Sequence, residues 1–245
     1  CLPGEEVSFE TWHMLSIAAD VGIRELFETA EAQAEIAHLA EELAGCKLAG
    51  GLRAEEYAPA RWAVQAIHRH GGQAFLCHPY WVANRRYHLD IRLYDQLVAD
   101  AEFDGVELLG EVRYEDNLLS IAHYQGLVAS GQRIPIIGCS DTHDREHYYG
   151  CYWTIVFAKE PTAKGALAAI ADGYSVACST VGPTGKQEGL RIYGPLDLVE
   201  YALFLEREFF PLHDALCREE AQSAYATYRD EKSSPTKDAD WSGKM

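Results

Sequence analysis

Apolar positions along this chain change their period several times, and each change marks an element. After the turn Leu2-Pro3-Gly4 come Glu6-Val7-Ser8-Phe9 and Trp12 through Ile17, two short strand-like runs of mixed period. From Val21 to Ala44 the residues are mostly Ala, Glu and Leu, which predicts helix as far as Gly45. Residues 47–53, with Gly50-Gly51, predict a loop. A second helix over 54–70 follows from Trp62, Ala66 and His70 at four-residue spacing, with Tyr57, Val64 and Ile67 among the other large groups. Gly71-Gly72 ends it.

Beyond Gly72 short apolar runs alternate with helical stretches. Ala74-Phe75-Leu76-Cys77 predicts a buried strand, with His78-Pro79-Tyr80-Trp81 at its C-terminal end. A helix at about 90–102, a strand at 105–109 and a helix at about 116–130 follow. The strand Ile134-Pro135-Ile136-Ile137 then runs into Gly138-Cys139-Ser140-Asp141-Thr142-His143. A strand over 152–157, a helix over 163–172 and a last strand over 174–178 complete the series. Repeated alternation of this kind predicts an α/β fold with a parallel sheet or barrel. Residues 195–229 are helical in pattern, with Leu198, Tyr201, Ala202, Leu205 and Phe209 on one face. The last stretch, from Lys232, is rich in Ser, Lys and Asp and predicts a disordered tail. The expected organisation is a domain over 1–190, a helical extension over 191–230 and a tail over 231–245.

Composition narrows the function classes. With 48% hydrophobic and 24% charged residues in 245, the chain is long enough for one large domain or a domain with an appendage. The net charge of −17 opposes non-specific binding to nucleic acid, although bound cations can reverse the field at one site. No apolar run is long enough to span a membrane, and no secretory signal pattern is visible. Seven cysteines, scattered and without a C-x-x-C pair, predict reduced thiols and a cytoplasmic protein.

The chemically suggestive residues follow predicted strands. His78 ends one strand, and Asp141 and His143 end another, their i and i+2 spacing letting both side chains share a face. In a βα barrel that end carries the active site. A carboxylate and an imidazole so placed suit Mn, Fe or Zn. Glu6 and His13, near the ends of the first two runs, add one donor of each type. Taken singly, each has a bland reading: Glu6 beside Glu5 is an ordinary solvated carboxylate, and His-Pro after an apolar run is common. The histidines at 38, 68, 70, 88, 123 and 213 read as surface or satisfied core, while His147, four residues after His143, is held open.

Together these segments carry a resemblance. Leu2-Pro3-Gly4-Glu5-Glu6-Val7-Ser8 looks like the I-P-G-x-E-x-S element of the PHP (polymerase and histidinol phosphatase) superfamily. Trp12-His13-Met14-Leu15, closing at Asp20, is similar to the ligand-bearing segment that follows it there. Gly71 through Pro79 resembles the family's G-G-x-x-x-x-A-H-P strand, Phe103 through Leu108 its next strand, and Gly138 through His143 its G-S-D-x-H terminus. The elements stand in the family's order. Cys77 replaces a residue that is usually small, and Cys139 is inserted between Gly138 and Ser140.

The resemblance implies a distorted, TIM-like barrel, seven-stranded in the family, and metal-dependent hydrolysis of phosphate esters by an activated hydroxide. It implies Glu6, His13, His78, Asp141 and His143 as metal ligands, the last two also as catalytic residues, around Mn, Zn or Fe. The family's H-x-H and D-H motifs have no counterpart before Leu2, so the expected fold lacks its first strands. Its three-metal cluster keeps five of nine ligands, with the Glu6–His13–His78 position complete. Arg85 and Arg86, just after the His-Pro turn, are candidates for binding a phosphorylated small substrate, against the plainer reading of a solvated loop. The alternatives are a catalytically impaired relative serving binding or assembly, and an amidohydrolase using the same metal logic. The C-terminal helices are candidates for a homo-oligomer contact.

Overall fold

The computed structural model describes residues 2–9, 11–110, 113–143 and 150–233, with side chains as far as Arg229. Its elements, in order, are β1 (Gly4–Ser8), β2 (His13–Ile17), α1 (Ile23–Phe27), α2 (Ala30–Leu43) and α3 (Ala54–Arg69). There follow β3 (Gln73–Leu76), β4 (Val82–Ala83), β5 (Arg86–Tyr87), α4 (Ile91–Asp100), β6 (Gly105–Leu109), α5 (Tyr114–Ala129) and β7 (Ile136–Gly138). The series ends with β8 (Tyr152–Val156), α6 (Ala163–Ala171), β9 (Ser175–Val181), β10 (Gln187–Tyr193), α7 (Leu196–Phe204) and α8 (Phe210–Ser233). One compact unit spans Cys1–Val199 and a second Glu200–Met245.

The expected barrel is not what forms. Among the described residues the strands make an open five-stranded sheet in the order β1-β2-β3-β6-β7 and a three-stranded sheet in the order β10-β9-β8. Only β3, β6 and β7 run parallel; β1, β2 and β3 pair antiparallel, as do all strands of the smaller sheet. The physical reason is that hydrophobic period reports burial and leaves strand direction open. β1 and β2 are joined by a connection too short for a crossover, so they must form a hairpin.

The helical stretch predicted over 21–44 is two helices. Thr29 divides them: its hydroxyl donates to the Leu26 carbonyl at 2.8 Å and accepts from the Ala32 N–H at 3.2 Å. That satisfies one end of each helix. β4 and β5, joined through Asn84 and Arg85, and the strand β10 were not evident in the pattern. Asn84 and Arg85 have φ of 51° and 66°, the left-handed backbone of a tight hairpin turn, with Arg85 where glycine is usual.

Register sorts the large sheet into two faces. Val7 opposes Met14, and Met14 opposes Leu76; all three are fully buried in the core that includes Tyr57, Trp62 and Ile67 of α3. The other face carries Leu15, Phe75 and Ile137, packed with Ile170 of α6 and Val156 of β8. Burying side chains on both faces excludes water from the sheet and makes it a rigid platform. The two sheets meet where Thr154 Oγ1 lies 2.9 Å from both the N–H and the carbonyl of Gly138, and where Ser175 Oγ donates to the Ile136 carbonyl at 2.7 Å.

In the second unit, α8 exposes Leu212, Leu216 and Tyr225. Residues 234–245, where the disordered tail was expected, lie outside the described residues. Among the described residues no helix is long and apolar enough to cross a membrane, and Cys46, Cys77, Cys139, Cys151, Cys178 and Cys217 form no disulfide.

The sheet junction yields a test of stability. A Cβ on Gly138 would come within 2.7 Å of the Trp153 carbonyl oxygen, a backbone atom that cannot swing aside. Gly138→Ala is expected to cost about 1–3 kcal/mol, as overpacking does. A thermal or urea melt unchanged from the parent would show that the sheets do not press together there.

Candidate metal centre

Strand alternation explains why chemistry collects at one rim. Ser8 opposes His13 and Glu6 opposes Leu15, so Glu6 and His13 share the face that bears Phe75 and Ile137. Cys77, whose N–H bonds the His13 carbonyl at 3.3 Å, continues that face. His78 would then turn away, but its φ of 23° breaks the alternation. Glu107, opposite Ile137, rises from the middle strand of the same face. His13 opens β2 rather than ending it, which corrects its expected place: an antiparallel strand brings its first residue to the rim that parallel strands reach with their last.

The distances are short. His13 Nδ1 lies 2.7 Å from Glu6 Oε1 and 2.9 Å from His78 Nε2, and the latter two atoms are 3.8 Å apart. Ligands of a tetrahedral ion at about 2.1 Å would sit about 3.4 Å from one another, so these three donors need only small adjustments to share one. Glu6 with Asp141 and His143 forms a further set whose donor atoms all lie within 4.8 Å of one another, as does Glu6 with Cys77 and His78. The structure thus places all five expected ligands around Glu6. They differ in exposure: the His78 side chain is 5% exposed, while that of His143 is 81% exposed and stands 3.8 Å from Asp141.

The electrostatics follow from burial and crowding. The hydrogen bond from His13, assisted by the charges of His78 and His143, holds the Glu6 carboxyl below its ordinary pKa despite partial burial. Burial opposes a charge on His78, but the Glu107 carboxylate, with Asp141 and Glu6, outweighs it and raises that imidazole. Asp141 is pushed up to about 6 by burial first and by the negative charge of Glu6 second. Burial also raises the Cys77 and Cys139 thiols, so both are protonated at neutral pH. Asp141 has φ of 49°, a second strained residue at this rim.

Three residues here escaped the sequence reading. Glu107 is buried in β6, and its Oε2 stands 3.5 Å from His78 Nδ1; its Oε1 and that Nδ1 lack hydrogen-bond partners. Cys77 offers sulfur where the expected donors are nitrogen and oxygen. His88, read as surface or satisfied core, packs its ring 4.6 Å from His13 and 4.8 Å from Trp81. It arrives there because its N–H bonds the Trp81 carbonyl at 2.8 Å, closing the loop that β4 and β5 form. Burial first, then the neighbouring imidazoles, lower its pKa. Only the two-residue turn Asn84-Arg85 could have announced that loop. His147 lies outside the described residues.

A cleft of about 430 Å³ adjoins the centre, lined by Thr11, Tyr80, Arg86, His88 and Asp90 among others. Of the two expected substrate-binding arginines, Arg86 lines it and Arg85 does not. Asp90 is engaged by Arg92 through both carboxylate oxygens, which among the described residues leaves Arg86 as the cleft's uncompensated charge.

The donor set of carboxylates, imidazoles and one thiol, with unpartnered buried polar atoms behind it, fits a divalent transition-metal ion. No protein-family model and no curated protein matches the chain. Among solved structures, it is similar to a two-domain protein from Bacteroides vulgatus ATCC 8482 containing a predicted PHP-like metal-dependent phosphoesterase. The two are 16% identical with a TM-score of 0.47, over 72% of this chain and 43% of that one.

The raised Asp141 carboxyl sets a pH dependence in metal-free protein. Its proton is held more tightly folded than unfolded, so stability falls as pH climbs from its ordinary 3.8 through about 6. Asp141→Asn removes that penalty, and asparagine tolerates the left-handed backbone. In chelator the variant should melt above the parent at pH 7.5, with the gap closing below pH 4. A variant that melts lower at pH 7.5 would refute the crowded-carboxylate assignment.

Proposed function

We propose that this chain is a metal-dependent phosphoesterase of the PHP type that hydrolyses small phosphorylated molecules. The observation that carries the proposal is the contact of Glu6, His13 and His78, with Asp141 and His143 completing a second donor set through Glu6. This arrangement joins the segments that resemble the PHP motifs into one site.

Glu6, His13 and His78 would hold one divalent ion, and Glu6, Asp141 and His143 a second, of Mn, Zn or Fe. Such ions supply charge for the phosphoryl oxygens and lower the pKa of water. The chain's own side chains do the rest. Trp81 and His88 wall the centre beside His13 and limit the approach of solvent. His143, the most exposed member, leaves the second donor set open toward solvent, where water can protonate the departing alkoxide. Arg86 positions a further anionic group of the substrate in the adjoining cleft.

The test is hydrolysis of p-nitrophenyl phosphate by protein stripped with chelator and reloaded with Mn, Zn or Fe(II). Activity should require metal, and His13→Ala or His78→Ala should lower kcat/KM by roughly 10–100-fold or more. Arg86→Ala should raise KM for substrates with a second anionic group while leaving kcat near the parent's. Undiminished hydrolysis in chelator, or by His78→Ala, would overturn the proposal.

A further inference from the structure

A buried acid in the middle of a sheet calls for a reason. Glu107 is 3% exposed, and every residue of β6 around it is buried. An ionised carboxylate there is costly unless it is paired. Among the described residues its one ion-pair contact is His78 Nδ1, at 3.5 Å.

Hydrogen-bond logic at the rim fixes what that contact does. At neutral pH a carboxylate oxygen such as Glu6 Oε1 can only accept. His13 Nδ1, 2.7 Å away, must therefore carry the proton. The same Nδ1–H faces His78 Nε2 at 2.9 Å, so that nitrogen must offer its lone pair. In neutral His78 the proton then resides on Nδ1, and Nδ1 faces Glu107. The two ends of the imidazole are set by two acids in opposite directions, Glu6 acting through His13 in front and Glu107 directly behind.

A second observation shows that the fold makes room for this carboxylate. A Cβ on Gly110 would collide with Glu107 Oε1. Gly110 is held in place by Asn117, whose side chain accepts from its N–H at 3.1 Å and donates to its carbonyl at 3.0 Å. Asn117 is itself buried at the start of α5. Helix α5 thus clamps a bare backbone segment against the acid, and any larger residue at 110 would drive Glu107 off its position.

We infer that Glu107 is a positioning residue, which holds neutral His78 in the Nδ1–H tautomer and aims its Nε2 lone pair at the Glu6–His13 site. The inference rests on the proposed metal-binding reading of that site. Carboxylates behind metal-binding imidazoles orient the ring and raise its basicity, and their loss typically weakens metal binding 10–100-fold. Glu107 is buried beneath the rim, and its part in binding is to position His78.

Two readouts test it without an activity assay. The first is the ¹⁵N pattern of the His78 ring in chelated, metal-free protein at pH 8, which distinguishes Nδ1–H from Nε2–H. The second is the Kd for Zn(II) by competition calorimetry. The parent should show Nδ1–H. Glu107→Gln, whose amide oxygen can still accept from Nδ1–H, should keep that tautomer and bind Zn(II) within a few-fold of the parent. Glu107→Leu and Gly110→Ala should mix the tautomers and weaken Zn(II) about 10–100-fold. Should Glu107→Leu fail to fold, Gly110→Ala and Glu107→Gln still decide the matter. An Nε2–H pattern in the parent, or an unchanged tautomer and Kd in both disruptive variants, overturns the inference. A parent that shows Nδ1–H and binds Zn(II) but cleaves no phosphoester would sink the proposed activity while leaving the positioning role standing.

Discussion

Glu6, His13 and His78 meet around one proton, and the rim is arranged to bring them there. The carboxylate and the His78 nitrogen both present lone pairs to the His13 Nδ1–H, at 2.7 and 2.9 Å. Three Lewis bases directed at one proton are also three ligands directed at one cation, because a metal ion takes such a proton's place when ligands deprotonate on binding. The hydrogen bonds hold the donors near ligand spacing, so little further ordering is required on binding.

That convergence needs a sheet in which direction changes from strand to strand. If β2 ran parallel to β3, His13 would sit at the far rim from His78. The hairpin of β1 and β2, its pairing with β3 through Met14 and Leu76, and the left-handed turn at His78 are each necessary. The strain at His78 and Asp141 is tolerated because the strands beneath them are buried on both faces. A platform of that kind can impose unfavourable backbone at its edge without giving way.

The sequence made part of this readable and concealed the rest for physical reasons. Chemistry-bearing residues stood out at His78, Asp141 and His143 because polar groups placed directly after apolar runs have no packing role. The runs themselves were visible in Phe75-Leu76 and Ile136-Ile137, since burial writes hydrophobic period into a strand. Direction is not written that way, so β8 and β9 passed for parallel neighbours and a barrel was expected. His88 was hidden because its position depends on a turn at Asn84-Arg85 that lacks the usual glycine. Glu107 was hidden for the opposite reason. It lies inside an apolar run, Gly105 to Leu109, where one acid looks like an interruption in a strand rather than a reach toward His78.

Glu6, Glu107 and Asp141 crowd one rim, and Asp141 opposes the fold it belongs to. Burial first, and then the negative charge of Glu6 and Glu107, resists the ionisation of Asp141 and raises the thiols of Cys77 and Cys139. A neutral replacement at Asp141 would relieve desolvation and repulsion at once. Three acids at one rim of a chain already at −17 therefore argue for compensating positive charge there, which imidazoles supply in part and divalent ions would supply in full. An acidic surface and a site for phosphate esters are then compatible. The protein as a whole repels polyanions, and one metal-bearing rim would reverse the sign locally where a small phosphate can enter.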